Sequence, residues 1–276
     1  MRLSFYTYSY TDRLKQSIPK CLTRIKRAGY SGIDVSGTNG NSADPKSFDK
    51  ARRKLTRDTT ERLGLRVEAI ITHAALTDSL ADPKKTPLDL KGTVDLAADI
   101  GGKVVTFHMG GYPKGYDRKK LWKQVVEYLR AASDYGAGKH IAVAVDGIWP
   151  TWIDSSPNVL KKLFDDVNQE NFGVNFDPSY LTLMGVDPVE FGKRFKDRIV
   201  HGHLKDHRGK YPKWDHLMPG KGEMKYDRVF EGLAKVGFKH SVAVECFTTM
   251  KFETACDDCF KSMVTAAAKK KVTFKK

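Results

Sequence analysis

The sequence predicts a fold of the α/β class, because short strand-like runs alternate with helical runs along all 276 residues. The strand-like runs recur roughly every thirty to forty residues, which is the size of a strand–helix–strand unit. Eight such runs occur, and a helical pattern follows each of them. Eight strands that alternate with eight helices are the count of a (β/α)8, or TIM, barrel.

The strand-like runs are β-branched or alternate apolar with polar residues. They are Leu3–Tyr8, Gly32–Val35, Arg66–Thr72, Lys103–Phe107, Ile141–Val145, Phe172–Phe176, Ile199–Leu204 and Ser241–Val244. The helical runs are Ile18–Ala28, Phe48–Leu63, Leu88–Ile100, Lys119–Tyr135, Pro157–Phe164, Pro188–Phe195, Tyr226–Val236 and Phe252–Ala267. Five glycines stand where a left-handed residue is expected to end a helix. They are Gly29, Gly64, Gly101, Gly138 and Gly237.

An open doubly wound sheet is the alternative to a barrel. A Gly-x-Gly-x-x-Gly motif after a strand would favour that sheet, and the sequence has none. No linker or change of composition divides the chain, so residues 1–276 are predicted to form one domain that ends in a frayed basic tail, residues 269–276. The longest predicted loops, among them Gly147–Ser156 and His207–Met224, follow strands, which marks that end of the barrel as the active face.

Composition limits the classes of function. The four cysteines form neither a disulfide framework nor a complete zinc site, so reduced thiols in a cytoplasmic protein are predicted. The sequence shows no signal peptide, and no stretch approaches the ~20 apolar residues of a membrane span. Solvated helix faces explain most of the net charge of +15, which still leaves a nucleic-acid partner open.

Polar side chains come at the ends of four consecutive predicted strands. Asp146 ends strand five, Asp177 ends strand six, His203 lies in strand seven, and Glu245 ends strand eight. Alternation puts each on the same side of its strand as small or polar residues below it, which are Ala144, Asn175, His201 and Ala243. Neighbouring strands lie ~4.8 Å apart, so the four side chains are expected to meet inside the barrel mouth.

Three carboxylates at one point repel one another, and a divalent cation removes that cost. Three oxygen ligands and one imidazole suit Mn²⁺, Mg²⁺ or Co²⁺ better than Zn²⁺. A single acidic residue at a strand end is often no more than the cap of the next helix. Four polar residues of matching orientation on neighbouring strands favour a site for one divalent metal ion.

Four stretches of the chain resemble the xylose-isomerase-like barrels, a family that includes sugar epimerases such as tagatose 3-epimerase, inosose dehydratase and, more distantly, apurinic endonucleases. The stretches are Asn175-Phe176-Asp177-Pro178-Ser179, His201-Gly202-His203-Leu204-Lys205-Asp206, Pro219-Gly220-Lys221-Gly222 and Val242-Ala243-Val244-Glu245. The resemblance covers nearly the whole chain, most clearly Lys103 to Phe247. It implies that Asp146, Asp177, His203 and Glu245 hold the metal.

Two residues depart from the family's pattern. Family members usually carry Glu at the position of Asp146, and His at the position of Tyr180. Asp is one methylene shorter than Glu, and a neutral tyrosine is a poor metal ligand. The substrate or the reaction of this protein can therefore differ from that of the epimerases, and loss of activity is a further alternative.

The resemblance implies proton transfer beside a metal-bound carbonyl of a sugar or cyclitol. Glu245 is the expected base, and Asp146, or a water that it holds, returns the proton. Lys205 and His108 are expected to bind substrate oxygens or to act as the acid. Further substrate contacts are predicted from residues in or near the top loops, which are His73, Tyr180, Trp149 and Arg208. If a hydroxyl group leaves instead, the same site gives a dehydratase or lyase.

Two other classes remain open. Apurinic endonucleases hold three zinc ions with extra ligands, and His73, His108 and His216 lie near positions that could supply them. Against this class, Tyr180 replaces a ligand, and Asp215-His216 lacks the Asp-x-His spacing of that family. The third class is a barrel that binds a sugar without converting it. The family often forms dimers or tetramers, so a homo-oligomer is possible for any of these readings.

Overall fold

The centre of the molecule is a closed barrel of eight parallel strands, seen in a computed structural model that describes residues 1–38, 40–84, 88–246 and 250–275. The strands in chain order are β1 (Arg2–Tyr6), β2 (Gly32–Ser36), β3 (Arg66–Ala75), β4 (Val104–His108), β5 (Ala142–Asp146), β6 (Phe172–Phe176), β7 (Ile199–Leu204), β8 (Asp206–Lys210), β9 (Lys213–Leu217) and β10 (Ser241–Val244). All of these except β8 and β9 belong to the barrel, which closes where β10 pairs with β1. The predicted TIM barrel of one domain is confirmed.

Helices surround the barrel. They are α1 (Thr11–Gln16), α2 (Ile18–Ala28), α3 (Lys50–Leu63), α4 (Leu76–Ala81), α5 (Leu90–Ile100), α6 (Arg118–Ala137), α7 (Pro157–Val167), α8 (Pro178–Leu183), α9 (Pro188–Arg194), α10 (Tyr226–Lys235) and α11 (Phe252–Ala268). The bounds of β6, β7, β10 and α2 are those that the sequence predicts. The short helices α1, α4 and α8 lie in stretches for which the sequence predicts no helix. Phe247, the last residue of the family-like stretch, lies outside the described residues.

A hairpin made of β8 and β9 is the largest element that the sequence does not predict. It lies at the start of the predicted loop His207–Met224, and it forms a two-stranded antiparallel sheet of its own, with Arg208 opposite Asp215. Its strands read Asp-His-Arg-Gly-Lys and Lys-Trp-Asp-His-Leu. They lack the alternation of apolar and polar residues by which a strand is recognised, so the sequence pattern predicts only a loop.

Glycines end four of the helices in the predicted way, with a left-handed backbone at Gly29, Gly64, Gly101 and Gly237. The prediction is wrong for Gly138, whose φ is −61°. The turn after α6 continues through this glycine, since the N–H of His140 donates to the carbonyl of Ala137. The left-handed residue at this helix end is His140, with φ of 57°.

The barrel strands sort their side chains as alternation predicts. Apolar residues that face the helices belong to the main core and are buried, among them Val143, Val145, Val174, Phe176, Val242 and Val244. Ala144 and Ala243 belong to a small separate cluster, together with Tyr6, Ala69, Ile71 and Val104. Small side chains inside the barrel leave room above them for the polar residues at the strand ends.

The sequence predicts a frayed basic tail, but the structure shows the described part of that tail, residues 269–275, bound to the rest of the protein. The N–H of Lys275 donates to the carbonyl of Met1 at 3.0 Å, and Lys275 forms a bridge with Arg2 of β1. The Phe274 ring packs edge-to-face on Phe230 of α10. Two apolar residues among the lysines, Val272 and Phe274, therefore attach this segment to the core.

Two further findings concern the cysteines and the length of the helices. All four cysteines are buried free thiols. Within the described ranges, none of the helices combines the length and the apolar character that crossing a membrane requires.

We expect Gly29→Ala to destabilise the fold more than Gly101→Ala does. Both residues have a left-handed backbone, which costs an alanine about 1–2 kcal/mol. A methyl group at Gly29 would overlap the Phe260 ring of α11, whereas Gly101 has open space around it. Displacing the ring should add about 1–3 kcal/mol. Urea denaturation measures both losses, and equal losses would show that the ring moves away freely.

Candidate active site at the barrel mouth

The structure brings the four predicted metal ligands together. Asp146 ends β5, Asp177 directly follows β6, His203 lies in β7 and Glu245 directly follows β10. His203 Nδ1 lies 3.1 Å from Glu245 Oε2 and 3.5 Å from Asp146 Oδ1. Asp146, Asp177 and His203 offer ligand atoms that all lie within 4.8 Å of one another. Each of the four residues is only about 1% exposed, so protein surrounds the charges on all sides.

Lys205 is the fifth charged member of the cluster. Its Nζ lies 2.9 Å from Asp177 Oδ2 and 3.0 Å from Glu245 Oε2. It also lies 3.9 Å from the centre of the Tyr180 ring, at a distance typical of a cation–π contact. A buried ammonium group therefore neutralises part of the charge of the carboxylates.

The charges in the cluster hold one another ionised. Burial alone would lower the pKa of His203, but the carboxylates of Glu245 and Asp146 outweigh it and raise this pKa to about 9. Burial would raise the pKa of Glu245, but Lys205 and His203 lower it to about 2. The pKa of Asp146 is also lowered in spite of burial, chiefly by His203. Each group is thus charged at neutral pH because the others are.

The residues fit a divalent cation. Three carboxylates and one ammonium leave a net charge of −2 when His203 is neutral, as a metal-bound imidazole is. Asp177 Oδ2 and Glu245 Oε2 are buried and lie against positively charged groups: both form ion pairs with Lys205, and Glu245 Oε2 also lies 3.1 Å from His203 Nδ1. The donor set of three carboxylates and one imidazole is the one predicted from the sequence, and it has lone pairs to offer.

Neighbouring polar groups hold Asp146 and His203 in place. Asn175 Nδ2 donates to Asp146 Oδ1 and lies 2.9 Å from His203 Nδ1. On the other side of the ring, Asp34 Oδ2 of β2 lies 3.9 Å from His203 Nε2. The sequence analysis does not identify Asp34, although an acidic residue inside the apolar strand Gly32–Ser36 was a sign of an inward-facing polar group.

Two predicted substrate-binding histidines line the mouth beside Asp146. His108 Nε2 lies 3.1 Å from Asp146 Oδ2, and His73 Nε2 lies 2.7 Å from the Tyr6 hydroxyl. The two imidazole rings meet edge-to-face at 4.9 Å. Burial, and then the neighbouring His108, lower the pKa of His73 to about 4, so His73 is neutral at pH 7.

Aromatic residues cover the site from above. Trp149 packs on Tyr180, with ring centres 4.8 Å apart, and on Trp214 of the hairpin at 5.3 Å. Trp152 packs on His108 at 5.1 Å. Arg208, the remaining predicted substrate contact, is exposed on the hairpin. No hydrogen bond or ion pair joins it to the four proposed ligands in the described part of the chain.

The three-zinc arrangement of the endonucleases finds no match among the described residues. Only two groups of three side chains there could hold a metal, and these are Asp34 with His201 and His203, and Asp146 with Asp177 and His203. Neither group includes His73, His108 or His216. His216 instead accepts a hydrogen bond from Trp214 Nε1 at 3.2 Å.

The Pro-Gly-Lys-Gly motif at Pro219–Gly222 packs against the carboxylate of Asp206. This buried carboxylate accepts the N–H of Gly220 at 3.0 Å and of Met224 at 3.1 Å. A side chain at Gly222 would collide with this carboxylate. The motif therefore ties the loop after the hairpin to the start of β8, and holds the base of the hairpin in place.

Asp154 is a buried acid that the sequence does not single out. It lies in the loop after β5, is 0% exposed, and has no hydrogen-bond partner among the described residues apart from its own backbone N–H. Burial raises its pKa to about 8, and the charge of Asp146 adds to the rise. It is therefore a neutral carboxylic acid at pH 7 in the wall of the mouth.

With the geometry described, comparisons with known proteins identify the family. Residues 22–259 match the family model of the xylose isomerase-like TIM barrel. The chain therefore belongs to the xylose isomerase-like TIM barrels, and the resemblance read from the sequence is confirmed.

Individual relatives are distant. Inosose dehydratase 2 of Bacillus cereus is 21% identical over 258 residues, which cover 84% of this chain and 82% of that protein. The structure of an L-ribulose 3-epimerase superposes with a TM-score of 0.76 at 14% identity, over 97% of this chain and 96% of that one. The IOLI protein, solved with a bound zinc atom, superposes with a TM-score of 0.75 at 16% identity, over 98% and 97%. At these identities the structural likeness shows the fold alone.

We expect Asp154→Asn to stabilise the protein more at pH 8 than at pH 5. An unfolded Asp154 titrates near 3.8, whereas the folded residue keeps its proton to about pH 8. Between these values only the unfolded chain loses the proton, so wild-type stability falls as pH rises, by at most about 1.4 kcal/mol per unit from this residue. Asn removes that dependence.

Urea denaturation at pH 5 and pH 8 tests this expectation. Asp165→Asn on the exposed face of α7 makes the same chemical change away from the site, and should shift stability equally at both pH values. A pH dependence of Asp154→Asn identical to that of wild type would show that Asp154 is ionised in the folded protein.

Proposed function

We propose that this protein is a divalent-metal-dependent isomerase or epimerase that moves a proton at the carbon beside a carbonyl of a sugar or cyclitol. One observation carries the proposal: Glu245 and Asp146 both approach the same nitrogen of His203, within 3.5 Å, in a buried mouth. Two carboxylates at one reaction centre supply a group that takes a proton and a group that returns one. Family membership supports sugar or cyclitol chemistry.

Asp146, Asp177, His203 and Glu245 would hold the metal. Three carboxylates and one imidazole favour Mn²⁺, Mg²⁺ or Co²⁺ over Zn²⁺, although the related IOLI protein contains zinc. When bound, such an ion polarises a substrate carbonyl and acidifies the neighbouring C–H bond.

Glu245 is the proposed base. It is ionised at neutral pH, as a base must be, because Lys205 and His203 keep its pKa low. The same ion pair with Lys205 makes Glu245 a weak base, so Lys205 has to leave it before it can accept a proton. A substrate oxygen that attracts the ammonium group would achieve this. Lys205 would then serve as both an oxygen-binding group and an acid, and substrate binding would free the base.

Asp146 is the proposed partner that returns the proton. Asn175 holds one of its oxygens, and His108 Nε2 lies 3.1 Å from the other. The His108 side chain is 20% exposed, whereas that of Asp146 is 2% exposed, so His108 extends from Asp146 toward the open mouth. The proton can therefore pass through His108 where the short aspartate does not reach.

The remaining predicted residues would bind and orient the substrate. His73 and Tyr180 present polar groups at the mouth, and Trp149 offers an aromatic face on which a sugar ring can stack. Arg208, exposed on the hairpin, would contact an anionic group at the rim of the site.

A small sugar or cyclitol is a better partner than nucleic acid. The three histidines that a zinc cluster of the endonuclease kind would use do not form a metal group among the described residues. A cytoplasmic location is part of the proposal, because all four cysteines are free thiols.

A dehydratase or lyase is the second candidate, and the inosose dehydratase relative favours it. Removal of the same proton by Glu245 would then be followed by departure of a hydroxyl group, with Lys205 or His108 as the proton donor. Mass spectrometry separates the two reactions, since an epimerase leaves the mass unchanged in H₂O and a dehydratase removes one water.

We expect Glu245→Gln to abolish most proton exchange. Incubation with a panel of ketoses and inososes in D₂O should give a deuterated product with the wild-type enzyme, and loss of the base should slow incorporation by about 10²–10⁴-fold. Glu253→Gln, the same change on the exposed start of α11, is the matched control and should leave the rate unchanged. Full exchange by Glu245→Gln would remove Glu245 from the role of base.

We expect metal-free protein to bind one Mn²⁺ per chain, and Asp177→Asn to weaken that binding at least tenfold. Asp177 also caps α8 by accepting the N–H groups of Ser179 and Tyr180. Because Asn is an equally good cap, the variant should fold. Asp134→Asn, exposed on α6, is the control with unchanged affinity. Calorimetry gives affinity and stoichiometry together, and three tightly bound zinc ions per chain would favour the endonuclease class instead.

A further inference from the structure

His203 lies between two acidic groups inside the barrel. Its Nδ1 faces Glu245 and Asp146, at 3.1 and 3.5 Å. Its Nε2 faces the carboxylate of Asp34, with Oδ2 at 3.9 Å, and makes no hydrogen bond in the described part of the chain. The ring is 1% exposed, so water does not compete for Nε2 from the bulk.

The Asp34 carboxylate is held rigidly. Ser4 Oγ donates to Asp34 Oδ1 at 3.2 Å, and Ser241 Oγ in turn donates to Ser4 Oγ at 2.9 Å. His201 Nε2 lies 2.6 Å from Asp34 Oδ2. With 0% exposure and partners from β1 and β7, this carboxylate has a fixed position and a fixed direction.

The His203 ring is fixed as well. The Tyr6 ring stacks on it, with centres 5.5 Å apart and planes only 9° from parallel. The His201 ring meets it edge-on at 5.5 Å. The ring therefore keeps Nδ1 on the side of Glu245 and Asp146, and Nε2 on the side of Asp34.

We propose that Asp34 is a positioning residue for the metal site, which rests on the proposed metal-dependent function. A metal bound at Nδ1 leaves the proton of the imidazole on Nε2, and the negative charge of Asp34, 3.9 Å from that nitrogen, stabilises this form. The lone pair of Nδ1 is then directed toward Glu245 and Asp146, where the metal would bind. At 3.9 Å the effect is that of a charge on an N–H dipole rather than of a hydrogen bond.

A second reading of the same residues is less consistent with the geometry. Asp34, His201 and His203 could themselves be taken as ligands of a further ion. The 2.6 Å contact between His201 and Asp34 is a hydrogen bond, and it occupies the atoms that such an ion would need.

Mn²⁺ affinity of the full chain tests the proposal. Asp34→Asn keeps the size of the side chain and one acceptor oxygen but removes the charge, and should weaken Mn²⁺ binding about 10–100-fold. His201→Gln is the matched control, because it disturbs the same network and leaves the Asp34 charge in place. It should change the affinity by less than the roughly 10–100-fold loss expected of Asp34→Asn. Equal losses in both variants would reduce Asp34 to a structural role and overturn the proposal.

The tautomer of His203 in the metal-loaded protein gives a second readout. The ¹⁵N shifts of the imidazole, measured on wild-type protein loaded with diamagnetic Mg²⁺, should show the proton on Nε2, the nitrogen that faces Asp34. A proton on Nδ1 in that sample would overturn the proposal even if Asp34→Asn failed to fold. Failure of the wild-type chain to bind Mn²⁺ or Mg²⁺ would count against the proposed function alone. Two bound Mn²⁺ ions per chain would make Asp34 a ligand and would also overturn it.

Discussion

Burial of three carboxylates within a few ångströms of one another is the constraint on which the rest of this molecule depends. Asp146, Asp177 and Glu245 are each about 1% exposed, and an unpaired carboxylate in such a place costs several kcal/mol. Lys205 and His203 offset part of that cost, since each lies within about 3 Å of a carboxylate oxygen. The fold tolerates this concentration of charge because the strands it sits on are packed rigidly on their other face by an apolar core.

The sequence predicts the barrel and the site for the same physical reason. In β5, β6 and β10 an apolar run ends on one acidic residue, and alternation gives each acid the same orientation. Strand ends are determined locally, by where the chain stops being apolar, which is why β6, β7 and β10 have the predicted bounds. Local patterns also locate Asp146, Asp177, His203 and Glu245, because the barrel topology then has only one way to bring their strands together.

Other parts of the site depend on contacts that no local pattern contains. Asp34 and His201 form a hydrogen bond although 167 residues separate them, so their pairing follows only from closure of the barrel. Lys205 is a predicted site residue, but its ion pairs with Asp177 and Glu245, which follow two other strands of the barrel, are set by the barrel and not by the local sequence. Asp154 lies in an irregular loop without period, and its burial depends on how that loop folds over the mouth. Neither strand of hairpin β8–β9 alternates apolar with polar residues, so the sequence pattern does not predict that the two strands pair.

The family resemblance leads us to expect Glu where this chain has Asp146, and in the proposed reaction the difference amounts to more than one methylene. A longer carboxylate could reach a substrate carbon itself, whereas Asp146 is tied back by Asn175 at one oxygen and meets His108 at the other. The group nearest the open mouth on this side is then an imidazole rather than a carboxylate. A neutral imidazole has one nitrogen that donates and one that accepts, while an ionised carboxylate only accepts, and the pKa of Asp146 is lowered. In the proposed reactions, return of a proton to carbon and donation of a proton to a departing hydroxyl both require a donor, so the Asp146–His108 pair would serve an epimerase and a dehydratase equally. The outcome then depends on which substrate atom lies next to His108, and so on how the aromatic wall of Trp149, Tyr180 and Trp152 orients the sugar ring.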